Sequence, residues 1–503
     1  MRTFSYSFSV ALALLAMGAP GARAQQQTQQ PQPKPSQPQN QADQPIPAYR
    51  SPLASGAGSA PVEDTSTGAQ ELAPDTRPLA GALGLSLGAP KTARSYWTPF
   101  LDVSGTAYSN PPVNSGGSSG WTTWASLSGG IDLHKISSNS DLMLSALSGG
   151  SFSTDGSGGN VNVQQLGLAE RLTFRRSSIS VIDQVGYLPQ AGFGYNGLGT
   201  VAGTTSGNLG LQTNFTPNQS ILTASGQRIS NTAIAEFDRF LTPRSSVVLL
   251  GSYGLLHYFD NNLADTHETS AQAGYNHVLN RKDTVALFYR FDAFRYSHIP
   301  QSINDHSVQV SYARRITGRL AFQVSAGPDF AFSQTPIKGG TATRGTVGSV
   351  ASTGKTTQFL WDLNTTFDYR LRSAALGLTY SHGVTGGSGV LAGSVADNVS
   401  GSATRRLTRL LDATGTIGYS RNTGVAITAK STLTPVSQTY DYWFGGASLT
   451  RTFGRSVNLS LGYQAQYQIS NFSFCVTPVC GTSYLTHQIY LDLGWRPRSF
   501  TSK

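Results

Sequence analysis

The chain alternates apolar with polar residues in successive runs, and short basic hinges break the alternation at intervals. In one run Val285, Leu287, Tyr289 and Phe291 share a face while Ala286, Phe288, Arg290 and Asp292 share the other. Val457, Leu459, Leu461, Tyr463 and Tyr467 likewise stand against Asn458, Ser460, Gly462, Gln464 and Gln466. Phe359, Trp361, Leu363 and Phe367 oppose Asp362, Asn364, Asp368 and Arg370. Period two is the signature of a β-strand with two unlike faces. The clearest hinges are Arg175-Arg176-Ser177, Thr242-Pro243-Arg244, Asn280 to Asp283, Arg314 to Arg319, Arg405 to Arg409 and Arg451 to Arg455. Between one hinge and the next lies a longer stretch rich in Gly, Ser, Asn and Thr.

This rhythm predicts about 18 strands from Trp97 onward, with 16 as the smaller alternative. Expected spans include 283–296, 306–316, 318–332 and 484–496. Every short turn follows an even-numbered strand. Short turns at one end and long connections at the other are the rhythm of a transmembrane antiparallel up-and-down β-barrel, whose short turns are periplasmic. The strands are long for a globular sheet and suit a tilted crossing. No window holds the roughly 18 consecutive apolar residues of a membrane-spanning helix. The fold class read from the pattern is therefore all-β, a single barrel over residues 93–503.

The remainder divides in two. Residues 1–24 read as a signal peptide: Arg2 gives the positive start, Phe8 to Met17 the apolar stretch, and Ala22-Arg23-Ala24 the cleavage site. Residues 25–92 form a Gln/Pro/Gly-rich periplasmic segment, too poor in apolar surface to offset its ordering entropy and so expected to be disordered.

Composition sharpens the picture. Of 503 residues only 12% are charged, against 21 Tyr, 23 Phe and 6 Trp. A soluble chain carries about 25% charge. The net charge of +10 does not imply nucleic acid, because the basic residues cluster at hinges behind a signal peptide. Arg175, Arg244, Arg281, Arg315, Arg406 and Arg451 are instead expected to ring the periplasmic rim, beside anionic lipid. Cys475 and Cys480 flank Pro478 in the last long connection, and in an oxidising compartment they are expected to form a disulfide.

The chemistry is sparse. The eight histidines are scattered, without HExxH or paired ligand spacing. Gly116-Gly117-Ser118-Ser119-Gly120 matches GxSxG by letter but lacks the strand-to-helix turn of a nucleophile elbow. His257 with Asp260, or His298 with Asp305 and His306, read as ordinary rim residues. No catalytic residue, metal ligand or cofactor is expected, and the chain is not read as an enzyme. Inward-facing charges carry more weight: Arg290, Asp292, Asp362, Asp368, Arg370 and Asp492 are the expected pore lining, with Asp238 and Asp412 as further candidates. Burying so many charges dry is costly, which argues for a wet lumen.

The longest connection, residues 188–228, carries Phe193, Tyr195 and Asn196 and is almost uncharged. In loop order the chain resembles the porins, whose third loop folds inward. The resemblance covers residues 97–496 as a pattern and implies that this loop supplies a constriction. The last strand, with Ile489, Leu491, Leu493 and Trp495 on one face, resembles the assembly signal of outer-membrane barrels, although residues 496–503 follow its aromatic. The chain is also similar to β-barrel proteins of exopolysaccharide loci in its Tyr-rich strands and Arg-bearing turns. The function expected is passive diffusion of small hydrophilic solutes across the outer membrane of a Gram-negative-type bacterium. The alternative is a component of exopolysaccharide export or assembly. The partners expected are outer-membrane lipid, small hydrophilic solutes or polysaccharide, and the barrel-assembly machinery during insertion, with a homotrimer as one available assembly and no nucleic acid.

Overall fold

The computed structural model describes residues 95–501, apart from 110–120, 155–160, 189–227, 260–263, 281, 298–300, 318, 338–351, 372, 388–390, 426–437, 455, 472–482 and 499. The signal-peptide and periplasmic-segment expectations lie outside the described residues, as do Phe193, Tyr195, Asn196, Arg281, Cys475 and Cys480.

The first nine strands are β1 (Tyr96–Ser109), β2 (Trp121–Ile136), β3 (Ser140–Ser153), β4 (Val161–Thr173), β5 (Ser177–Leu188), β6 (Arg228–Thr242), β7 (Ser245–Tyr258), β8 (Thr266–Val278) and β9 (Asp283–Tyr296). The rest are β10 (Ser302–Arg315), β11 (Leu320–Ile337), β12 (Ser352–Arg370), β13 (Ala374–Thr385), β14 (Ser394–Thr408), β15 (Leu411–Gly424), β16 (Thr439–Phe453), β17 (Val457–Ser470), β18 (Ser483–Trp495) and the two-residue β19 (Phe500–Thr501). Each long strand pairs antiparallel with the next, and β18 pairs with β1 from Leu101↔Trp495 to Ser109↔His487. The sheet is thus a closed barrel.

The expected strand number needs correcting. The described residues hold nineteen strand segments, the addition being β19 in the stretch read as a tail after the closing aromatic. It pairs with Tyr96 and Trp97, and the Phe500 ring stacks on Trp97 at 4.5 Å. Apolar stacking at the barrel's end holds that tail in place.

The parity of the connections is as the sequence pattern predicts. Short turns follow β2, β4, β6, β8, β10, β12, β14 and β16, while longer connections follow the odd-numbered strands. Alternation decides which face each side chain takes. Val310, Trp361 and Ile417 point outward at 61%, 60% and 64% exposure, whereas Ser307, Ser311 and Asp329 point inward at 0%. A globular protein would place these residues the other way round.

Glycines on the inner wall accommodate aromatic rings lying flat across the ladder. Gly462 faces Tyr490 in register, and a Cβ at 462 would come 2.2 Å from the tyrosine ring. Gly418 and Phe444 repeat the arrangement on β15 and β16, at 2.1 Å. The ring covers backbone that a side chain would otherwise protect. Gly462→Val is expected to destabilise the barrel by about 1–3 kcal/mol through overpacking. Gly105→Ala, where a Cβ would meet nothing within 4 Å, is expected to be near neutral. Denaturant midpoints of barrels folded into lipid vesicles check the pair.

Candidate functional site on the inner wall

Period two brings inward-facing charges of neighbouring strands together on the arc from β8 to β12. Arg290 on β9 lies at the centre. Its guanidinium is 2.7 Å from Asp292 on the same strand and 2.7 Å from Asp362 on β12, with all three side chains between 6% and 11% exposed. Gln309 on β10 donates to the same Asp362 oxygen at 2.5 Å, and Ser270 on β8 donates to Asp292. A contact between β9 and β12 spans two intervening strands. Tight local curvature therefore lets the long Arg290 side chain reach across.

Around that centre stand three acids that the sequence reading did not assign to the lumen: Glu268 on β8, Asp305 on β10 and Asp329 on β11. They are 3%, 0% and 0% exposed, and all lie within electrostatic reach of Arg290. Asp305 escaped because the expected strand began at 306. It is in fact the direct cross-strand partner of Asp292. Continuing the alternation of β10 back through Ser307 was the signal that would have found it.

One layer closer to the long connections, Phe294, Ile303, Ala331, Val384 and Val425 form an apolar cluster. Gly386 and Gly393, on the described parts of the β13–β14 connection, come against Phe294 and Ile303 respectively. Gly387 and Gly393 have φ of 76° and 83°, a region open to glycine at little cost. A side chain at 393 would meet Ile303 at 2.1 Å, so the close approach also requires glycine there. The charges of the neighbouring cluster are themselves buried in the structure.

Of the six residues expected to line a pore, Arg290, Asp292 and Asp362 are brought together. Asp368 lies further down β12 toward the short turn, half-buried. The Arg370 side chain is outside the described residues. Asp492 belongs to a second cluster at the β1–β18 seam, near Asp102 and Arg496, and is 2% exposed. Asp132, also within reach of Arg496, accepts a hydrogen bond from Ser145 at 2.6 Å. Asp238 is buried beside Glu236 on β6, and Asp412 lies 3.4 Å from Arg406 at the β14–β15 turn.

The inner wall near that seam has a different character. Tyr440, Tyr442 and Phe444 of β16, Tyr108 of β1, Gln466 and Gln468 of β17 and Gln488 of β18 face inward as an aromatic and amide surface. From β14 to β16, toward the short turns, the inward residues are small and hydroxylated. Ser400, Ser402, Thr414, Thr416, Ser448 and Thr450 are only half-buried there.

The arginines expected at the rim differ in the face they take. Arg175 and Arg244 are exposed in short turns, and Arg451 lies over the Phe453 ring at 4.9 Å. Arg315, however, is 6% exposed and points inward, because odd positions of β10 face the lumen. Its neighbour Arg314 takes the outer position, 3.6 Å from Asp283. His257, read as an ordinary rim residue, lies 2.8 Å from Asp265; Asp260 and His298 fall outside the described residues.

A closed antiparallel sheet, apolar outside and polar inside, satisfies every wall hydrogen bond without water and can cross a bilayer. Among the described residues no helix is long and apolar enough to do so. The fold defines an outer-membrane β-barrel, and the protein resides in the outer membrane of a Gram-negative-type bacterium. No protein-family model and no curated protein matches the chain. Among solved structures it is similar to OccK5 (OpdH) of Pseudomonas aeruginosa, at 12% identity and a TM-score of 0.38 over 81% of this chain and 99% of that one. OccAB1 of Acinetobacter baumannii matches at 10% and 0.39, over 80% and 97% of the two chains. The FrpB iron transporter of Neisseria meningitidis (F5-1 variant) matches at 8% and 0.36, over 80% and 82%.

Two outcomes follow from the charges. Arg290→Met leaves buried carboxylates without their counter-charge and is expected to cost about 3–5 kcal/mol. Adding Asp292→Asn and Asp362→Asn should recover most of that loss, and denaturant midpoints read both. At the long-connection end, burial pushes the Asp265 carboxyl up, but hydrogen bonds from the Tyr258 N–H, at 2.9 Å, and from His257 outweigh it and hold it below the ordinary range. A depressed carboxylate stabilises the fold above its unfolded value of about 3.9 and ceases to do so as pH falls through the folded value. Protection of the Tyr258 amide from exchange should therefore persist at neutral pH and be lost on acidification, whereas Asp265→Ala, which removes the acceptor, should lack it throughout.

Proposed function

We propose that this barrel is an outer-membrane channel for the passive diffusion of small hydrophilic solutes. The observation that carries the reading is the half-exposed arc of Ser and Thr on the inner faces of β14 to β16. Hydroxyls on a wet wall exchange hydrogen bonds with a passing solute and with water at similar cost, so they let polar molecules through without trapping them. The aromatic and amide surface near the β1–β18 seam supports the same reading, since rings and amides suit uncharged polyols. The short-turn end, with Arg175, Arg244 and Arg451, is the periplasmic mouth in this reading, and its positive charge faces anionic lipid.

The test is single-channel recording in planar bilayers, with two variants placed on opposite faces of one strand. Thr416→Trp puts a large ring into the passage and is expected to reduce the conductance to a fraction of the wild-type value. Ile417→Trp lies on the lipid side, where Ile417 is 64% exposed, and is expected to leave conductance unchanged. A wild-type barrel that inserts and never conducts would overturn the channel reading.

A further inference from the structure

The arc from β8 to β12 holds more negative charge than Arg290 neutralises. Asp292 and Asp362 take the guanidinium between them at 2.7 Å each. Asp305 and Asp329 are left over. Both are 0% exposed, and none of their carboxylate oxygens is reached by a hydrogen-bond donor among the described residues. The two groups are close enough to share a proton. Ser307, also wholly buried, lies beside them, two positions on from Asp305 and directly across the ladder from Asp329, and accepts a hydrogen bond from Gln309 at 3.4 Å.

Their surroundings make the surplus worse. Asp305 sits directly opposite Asp292 on the same face of the β9–β10 ladder, where like charges repel. Glu268 adds another buried acid on β8. The titratable group nearest Asp362 on β13, His382, is itself 2.7 Å from Asp397. Buried carboxylates of this kind need a proton or a positive partner. Among the described residues no three His, Cys, Asp or Glu side chains are arranged to hold a metal ion. Two unpartnered carboxylates beside a hydroxyl instead match an ammonium group, which has three donors and no acceptor.

We propose that Asp305 and Asp329, beside Ser307, bind the ammonium group of a small organic amine on the inner wall of the barrel. The inference deepens the channel reading by naming a solute class, and as a statement about cargo it rests on that reading. The charge surplus makes the site selective: neutral solutes offer the carboxylates no compensation, and anions are repelled.

The probe is putrescine, titrated calorimetrically into the full-length barrel in detergent micelles, with glucose and acetate as comparisons. Wild-type protein is expected to bind putrescine and neither comparison. The double variant Asp305→Asn, Asp329→Asn should weaken binding by about tenfold or more, while Asp368→Asn, further down β12, should leave it unchanged. Circular dichroism establishes that each variant is folded, and either single variant serves if the double does not fold. No binding by the wild type, or equal binding by a folded double variant, overturns the proposal and leaves a shared proton as the resolution of the acid pair. Bilayer recording separates the two readings. A barrel that conducts but does not bind putrescine overturns this site alone, whereas one that binds putrescine and never conducts overturns the channel and keeps the site.

Discussion

The need to pair every backbone N–H and C=O away from water shapes this molecule. In hydrocarbon an unpaired peptide group costs several kcal/mol, so a sheet in a membrane must have no edge. The β1–β18 pairing meets that demand, and much else follows from it. Closure of an antiparallel sheet puts successive turns at opposite ends, which makes the parity of short and long connections a structural necessity. It also commits every second residue to lipid and every other to the interior. The short two-residue β19 is part of the same solution, continuing the pairing of β1 beyond Trp495.

Because outward positions must be apolar, all the polar chemistry is forced inward and concentrated. A soluble protein would disperse these charges over its surface. Here Glu268, Arg290, Asp292, Asp305, Asp329 and Asp362 occupy consecutive strands of one curved arc, and curvature brings side chains of non-adjacent strands into contact. An apolar layer of Phe294, Ile303 and Val384 lies next to them. It strengthens the Arg290 pairs and raises the cost of every carboxylate left unmatched. The wall is thereby divided into a buried charged arc and a half-buried hydroxylated arc.

Much of this was legible in the sequence, for one reason. Period two and the spacing of basic turns are local signals, and barrel closure is their direct consequence. Strand faces could be read residue by residue, so Arg290, Asp292 and Asp362 were placed inward correctly. What escaped depended on geometry between distant segments. The reach of Arg290 to Asp362 requires the curvature of the wall. The approach of the β13–β14 connection to Phe294 and Ile303 comes with Gly387 and Gly393 in a left-handed conformation, and neither glycine differs in sequence from the many others in the connections. Strand boundaries also mattered: starting the tenth strand at 306 rather than 302 left out Asp305.

The division of the inner wall bears on how a passage can discriminate without closing. A uniformly hydroxylated wall sorts solutes by size alone, because each hydrogen bond it offers is matched by one that water offers. Discrimination needs a group whose cost changes with the solute, and a buried carboxylate without a partner is such a group. Its penalty is present in the unliganded wall and is relieved only by a positive charge. Placing that penalty on a rigid sheet, beside an arginine already committed to Asp292 and Asp362, prevents the wall from relaxing to neutralise itself. Under the proposed channel reading, Asp305 and Asp329 thus hold a fixed preference on a wall whose other arc carries the half-buried hydroxyls of Ser400, Ser402, Thr414 and Thr416.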